Sequence, residues 1–295
     1  MIEFRSPRIE DRTWVTALMQ STGRESCEYC FGNLFIWSPS YDTKIARIGD
    51  WFVSRSGAED GVYCFPMGHG DLRAVLDALA EDAGARGNRL RFYGVTEPDR
   101  AALENLMPGS FRFEEDRDFY DYIYDRKTLA TLPGKKFHAK RNHITAFLRA
   151  GDWQYEPITP QNLAECIEMD RLWKEKNIDK NPMELEREND ALQRAFRHYE
   201  ALGLVGALLR QSGRVVAFTI GEEMGRHMFC THFEKAFANV RGAYPMINRE
   251  FAAQSITAYP LVNREEDAGD EGLRKAKLSY HPCKLLTKYD AVYED

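Results

Sequence analysis

The 295-residue chain is expected to fold as an α+β protein of two mixed sheets flanked by helices. Three observations lead to that expectation. Apolar residues make up 43% of the chain and charged residues 29%, ordinary values for a globular protein long enough to bury two cores. Apolar positions switch repeatedly between helical spacing and alternation. The order of the segments marked in this way runs through the first half of the chain and then again through the second.

In the first half, Glu10–Gln20 places Trp14, Val15 and Leu18 on one helical face, and Cys27–Trp37 is a second apolar helical stretch. Ile45–Ser54 and Gly61–Pro66 read as strands. Asp71 is positioned as the N-cap of a helix over Leu72–Ala85, whose Leu72, Val75, Leu76 and Leu79 share a face. Leu90–Val95 is a strand, Asp99–Met107 a helix started after Pro98, and Phe111–Arg126 an aromatic extended segment. In the second half, Trp153–Ile158 is a strand, and Pro160–Lys176 (capped by Thr159) and Glu184–Leu202 are helices. Leu204–Gln211, Val215–Met224 and His227–Glu234 form an antiparallel meander around turns at Ser212-Gly213 and Gly225. Tyr244–Ile256 is a helix, Leu261–Asn263 a strand, Glu271–Tyr280 a helix and Leu285–Val292 a last strand.

Strand, two helices, three strands, helix, strand, helix, strand is the order of the GNAT-type (acyl-CoA N-acyltransferase) fold. Two copies predict a tandem GNAT-like arrangement: an N-terminal domain over 1–130, a basic linker helix over 131–151 and a C-terminal domain over 152–295. The linker has no acidic residue from Gly134 to Gly151, and Phe137, Ile144, Phe147 and Leu148 are its expected inward side.

A net charge of −6 argues against a nucleic-acid coat or a polybasic membrane anchor. No apolar run approaches the roughly 18 residues of a membrane span, and Met1–Arg12 is charged early, unlike a signal peptide, so a cytoplasmic location is expected. Of six cysteines, Cys27 and Cys30 make a lone C-x-x-C with no second pair or histidines at ligand spacing, which reads as buried reduced thiols. His232 on a central strand reads as a core histidine, and Asn33 and Trp37 as packing residues.

Two segments resemble a known family: Pro133-Gly-Lys-Lys-Phe-His-Ala-Lys-Arg-Asn-His143, and the stretch from Asn263 to Pro282, NREEDAGDEGLRKAKLSYHP. They are similar to the C-terminal domain of phosphatidylglycerol lysyltransferase. The resemblance implies a tandem acyltransferase fold related to enzymes that move amino acids from aminoacyl-tRNA to peptidoglycan precursors, with a lipid acceptor in the lysyltransferase itself. The partners it implies are aminoacyl-tRNA and a lipid or small-molecule acceptor.

The residues give that resemblance a chemistry. Asn263 ends a strand, Asp270 caps the following helix and Pro282 stops it. Leu273, Ala276 and Tyr280 are the expected buried stripe, with Arg274, Lys277 and His281 on an adjacent cationic one. Glu265, Glu266, Asp267 and Asp270 lie in the loop at the carboxyl end of the strand, where open sheets bind ligands. Acyl transfer needs a base, donors for the developing oxyanion and cations for the donor's phosphates. Glu266 and Asp267 are candidates for the base or for holding an α-amine, and Lys277 completes the catalytic set. Arg274 and Lys277 are candidates for a phosphate or carboxylate, with Asn263, Glu265, Tyr280 and His281 around them. Lys135, Lys136, Lys140, Arg141 and Asn142 are candidates for tracking an RNA end. The first half lacks such an array and reads as scaffolding.

A CoA enzyme of this fold carries R/Q-x-x-G-x-G/A before a helix whose N–H groups cradle the pyrophosphate. The corresponding stretch is Asn239-Val-Arg-Gly-Ala-Tyr244. Arg241 and Gly242 are retained candidates for CoA, but Asn239 and Tyr244 depart from the pattern. Aminoacyl transfer from tRNA, needing no cofactor, is thus expected first. The alternatives are acyl-CoA-dependent transfer and a non-catalytic ligand-binding protein on the same fold.

Overall fold

The structure, a computed structural model, describes residues 1–177 and 182–294. From the N-terminus run α1 (Arg12–Ser21), α2 (Phe31–Trp37), β1 (Lys44–Ile48), β2 (Trp51–Ser56), β3 (Val62–Cys64), β4 (Met67–Gly68), α3 (Leu72–Ala85), β5 (Arg91–Val95), α4 (Glu97–Leu106), β6 (Phe111–Glu115) and β7 (Asp121–Asp125). Next come α5 (Arg126–Thr131), α6 (His138–Arg149), β8 (Trp153–Pro157), α7 (Leu163–Lys176), α8 (Pro182–Arg197), β9 (Val205–Gln211), β10 (Arg214–Met224), β11 (Met228–Ala236), α9 (Ala243–Gln254), β12 (Leu261–Asn263), α10 (Glu271–Leu278), β13 (Lys284–Leu286) and β14 (Tyr289–Tyr293).

These elements form two compact units. The first takes in Met1–Tyr122, Glu265–Lys275 and the chain from Leu285 onward; the second takes in Ile123–Arg264 and Ala276–Lys284. The sheet orders are β1-β2-β3-β5-β14-β6, with β4 on β2, and β13-β7-β12-β11-β10-β9-β8. The expected α+β tandem GNAT-like fold is therefore the observed one.

In the first unit, Asp71 caps α3 as expected, accepting from the Ala74 N–H at 3.2 Å. Leu76 and Leu79 pack with Val53, Tyr63, Phe92, Leu103 and Ala291 in the buried core. The expected helix over Cys27–Trp37 is interrupted: a 3-10 turn covers Cys27–Tyr29, and Cys30 is extended (φ −110°, ψ 123°) before α2 starts. Ile45–Ser54 is a hairpin rather than one strand, turned at Gly49 with φ 58°.

In the second unit, the meander β9-β10-β11 matches the expectation, with Ser212 and Gly213 both at positive φ in its first turn. Thr159 does not cap α7; its own N–H is held by the Asn162 side chain at 2.8 Å, and the helix starts at Leu163. Phe137, Ile144 and Phe147 are buried as expected, but Leu148 is exposed, one step past the inward stripe of α6.

Two segments divide between the sheets. Phe111–Arg126, expected as one extended run, breaks at a 3-10 turn over Arg117–Phe119, so that β6 joins the first sheet and β7 the second. Leu285–Val292 likewise separates into β13 in the second sheet and β14 in the first. The observed division thus differs from one at residues 130 and 152, and the basic stretch before Gly151 belongs to the second unit.

Candidate functional site

In the second unit, β11 and β12 are parallel neighbours whose pairing runs from Met228–Leu261 to Cys230–Asn263. Just past the last pair, β11 carries a bulge: Gly221 faces Thr231 and Ile220 faces Phe233, leaving His232 as the extra residue. A Cβ on Gly221 would collide with the Cys230 carbonyl, so this approach requires glycine. His232, nearly all buried, pairs with Glu222 at 2.9 Å, a satisfied core histidine as expected.

Glu234 lies beyond the bulge and Arg264 directly follows β12, both at carboxyl ends of parallel strands. Arg264 Nη2 donates to Glu234 Oε1 at 2.9 Å, and Asn248 of α9 donates to Glu234 Oε2 at 3.0 Å. The Arg264 guanidinium carbon lies 5.5 Å from the Tyr124 ring centroid and 5.0 Å from that of Tyr280. Lys140 Nζ stands 3.8 Å from the Tyr280 centroid. Lys277 Nζ donates to the Arg264 carbonyl at 2.6 Å, and Tyr124 donates to the Lys277 carbonyl at 2.8 Å, which ties down the strand end and the last turn of α10. Burial, then the neighbouring Arg264 charge, push the Lys140 ammonium down to about 8 against the pull of Glu234. Burial also works against the charge of Arg264, but Glu234 and the two tyrosines outweigh it and hold its pKa up.

The first unit has its own charged cluster. Lys288, 2% exposed at its side chain, lies 2.7 Å from Asp121, 2.8 Å from Glu28 and 3.8 Å from Glu266, with Cys27 Sγ at 3.4 Å. Asp121 also accepts from the Cys27 N–H at 2.8 Å. Burial raises the Cys27 thiol well above its usual value, and the adjacent acids raise it further, so it stays protonated. Burial likewise raises Glu28 despite Lys288. The group is a compensated ion cluster packed around one lysine. Cys27 and Cys30 are buried thiols, as expected.

The stretch from Asn263 to Pro282 is shared between the units, and its charges do not form one crevice within either. Glu265, Glu266, Asp267 and Arg274 belong to the first. Asp267 is completely buried, bonded to Arg274 at 2.7 and 3.0 Å, to the Tyr122 hydroxyl and to the Gly269 N–H at 3.1 Å. Burial opposes its charge, but these donors hold its carboxyl below the usual range. Those bonds anchor the loop and make Asp267 a poor base. Arg274 also bridges to Asp118 at 2.5 Å. Glu265 accepts from Asn33 at 3.1 Å, so Asn33 does more than pack. Glu266 remains about one-third exposed beside Lys288.

Asp270 and Leu273 also belong to the first unit, and the remaining expected residues lie in the second. Leu273 and Ala276 are exposed and Lys277 is buried, so the stripe of α10 is rotated one position from the expected one. Asp270 caps α10 through the Leu273 N–H at 2.7 Å. Tyr280 is buried, whereas His281 is exposed at φ 53° with its ring edge-on to Phe137. Asn263 is fully buried inside the sheet. Lys135, Lys136 and Asn142 are exposed, and Arg141 is turned back onto the Leu132 and Gly134 carbonyls at 2.5 and 2.7 Å. Arg241 is exposed. Gly242 caps α9 at φ 85°, and a Cβ there would strike the His143 carbonyl and meet Phe147 Cβ at 3.1 Å. Lys140, Lys277 and Tyr280 are thus the expected residues that meet at the Arg264 array. Glu234, Asn248 and Arg264 have no spacing that singles them out: Asn248 lies beside Arg249 and Glu250 on a helix, and Arg264 precedes three acids. The one available signal was Glu234, a carboxylate continuing a strand of Phe and Thr residues.

A model of the family "phosphatidylglycerol lysyltransferase, C-terminal" matches residues 19–292. The chain belongs to that family. It is therefore a member of the lysyltransferase-like acyltransferases of this fold. A crystal structure of a conserved protein of unknown function from Bacteroides thetaiotaomicron is 43% identical, with a TM-score of 0.94 and all of both chains covered. The C-terminal domain of a protein described as a lysylphosphatidylglycerol synthetase, from Agrobacterium fabrum, shares the fold at 15% identity (TM-score 0.71, covering 97% of this chain and 92% of that one). So does L-PGS from Bacillus licheniformis at 17% identity (TM-score 0.68, 99% and 93%). An uncharacterised protein of Mycoplasmoides gallisepticum is 23% identical over 175 residues, 57% of this chain and 54% of that relative, so the match spans about half of the relative's length. No helix among the described residues is long and apolar enough to cross a membrane.

Proposed function

We propose that the protein transfers an aminoacyl group from aminoacyl-tRNA to an acceptor bearing an amine or hydroxyl, a lipid headgroup being the acceptor the family suggests. The observation that carries this reading is the filled start of α9. A pyrophosphate cradle needs several open N–H groups at a helix N-terminus. At α9 the Ala243 N–H already donates to the Val240 carbonyl at 3.1 Å, and Pro245 has no N–H. The backbone of α6 presses against Gly242 at the same end. Those features disfavour CoA, while exposed Lys135 and Lys136 precede α6 as cations suited to an RNA backbone.

In this reading the acceptor's nucleophile attacks the ester carbonyl carbon. Its proton passes to Lys140, whose depressed pKa leaves a share of neutral amine near neutrality. The negative charge that develops on the carbonyl oxygen is offset by the cations of the Arg264 array, and collapse breaks the ester bond, the ribose oxygen taking the proton from Lys140 and leaving as a hydroxyl. Incubation with a full set of charged tRNAs and cell lipids tests it. The expected result is labelled amino acid in an acceptor fraction; no transfer with any charged tRNA would remove the reading. Calorimetry with CoA decides the second reading, and binding below millimolar concentration would restore it.

A further inference from the structure

Two polar atoms at the Arg264 array are buried without a hydrogen-bond partner among the described residues: Arg264 Nη1 and Asn248 Oδ1. Their orientations are fixed. Glu234 can only accept, so Asn248 must turn its amide nitrogen to that carboxylate and its oxygen away. Arg264 spends Nη2 on the other oxygen of the same carboxylate, which leaves Nη1 directed elsewhere. One carboxylate thus holds a bare donor and a bare acceptor in a single array. Leaving such groups unsatisfied costs about 1–3 kcal/mol each, an arrangement retained where a ligand supplies the partners.

A ligand that satisfies both must offer an acceptor and a donor. We propose that Arg264 and Asn248 recognise an α-amino acyl group, with Arg264 Nη1 donating to the acyl carbonyl oxygen and Asn248 Oδ1 accepting from the α-amino group. The proposal deepens the reading of the protein as an aminoacyltransferase and rests on it. A free α-amine titrates near 8, so it can be neutral and tolerate the neighbouring cations. The contact from Arg264 strengthens as the carbonyl oxygen gains charge, which makes it a catalytic residue as well as a binding one. Asn248 supplies discrimination: an acetyl or fatty acyl group has no donor to offer it, and its oxygen would then stay buried and unmet.

Calorimetric titration of the full chain with alaninamide, lysinamide and propionamide tests this. Propionamide is alaninamide without its α-amine. The unmodified protein should bind at least one of the two amino amides at least tenfold more tightly than propionamide. Asn248→Ala should abolish that preference, with Asn248→Ser as a second variant should the first fail to fold. Arg264→Lys should weaken all binding tenfold or more, since its ammonium cannot keep the Glu234 contact and reach the carbonyl together. Binding of neither amino amide more tightly than propionamide, no binding of any amide, or a preference that survives both Asn248 variants would overturn the proposal. Transfer from charged tRNA that persists beside such a result would overturn the recognition site and leave the function standing. Amide discrimination without transfer from any tRNA would support the site and remove the RNA donor.

Discussion

Lys140 and Lys288 are both withdrawn from solvent, and their neighbours send them in opposite directions. Lys140 has burial and Arg264 working against its charge, so its folded pKa is about 8 against a usual 10.5. Between those values the unfolded chain holds a proton that the folded chain has released, so stability should rise with pH across that window. Lys140→Met should remove this rise. The check is urea denaturation of both proteins at pH 7.5 and 9.5, where the variant should show the smaller gain. Lys288 is more completely buried, but Asp121, Glu28 and Glu266 overcome the burial and raise its pKa well above the usual value. Its contribution is therefore present below the usual lysine pKa and persists until the pH passes its folded value. Lys288→Met would leave acids packed around a missing charge and should cost about 3–5 kcal/mol, read as a fall in melting temperature. A loss below about 1 kcal/mol would mean that the acids simply take up protons. Nothing in the sequence marked Lys288 beyond its place beside the apolar pair Leu285-Leu286, a lysine where a core residue would fit.

At the scale of elements, α6 and α9 meet where a CoA enzyme would open its cradle. Gly242 fits the sequence pattern of the cradle, yet its geometry gives it another reason to be glycine: φ of 85° and the His143 carbonyl facing the position of a Cβ. Gly242→Ala should destabilise the protein by about 3 kcal/mol or more, since both strain and a backbone collision must be relieved. Chemical denaturation measures it; an unchanged midpoint would return Gly242 to the role of a ligand-binding residue. The same helices show which parts of the fold were readable. α3 was legible because Asp71 and four leucine or valine positions agreed, and β9 to β11 because turn chemistry and alternation agreed. The buried stripe of α10 is offset by one position from the one its periodicity predicts. Its leucine looked like the core residue, but the last turn buries Lys277, whose long apolar stem fills the space and whose ammonium reaches the Arg264 carbonyl. Periodicity of residue types cannot report a lysine that is buried because a carbonyl waits for it.

At the scale of the molecule, two strands make the chain hard to cut. β14, from the end of the sequence, lies between β5 and β6 in the first sheet, antiparallel to both. β7, from before residue 126, lies beside β12 in the second. The repeated order of elements was legible, but the sheet each strand joins was not. A strand's apolar alternation states that it is half-buried, and it is silent about which neighbour supplies its hydrogen bonds. A fragment of residues 1–130 would lack β14 and leave β5 and β6 facing an empty ladder position with Phe92 and Phe111 uncovered. A fragment of residues 152–295 would lack β7 and, with it, Tyr124 beneath Arg264. Neither should fold alone: each should show a broad, weak thermal transition by circular dichroism and rapid proteolysis, whereas the full chain resists. Removal of the residues after Lys288 alone should have the same effect on the first unit, because it takes out an interior strand rather than an edge. If the 1–130 fragment melted cooperatively near the temperature of the full chain, the first sheet would not need β14, and the first half would be an independent domain after all.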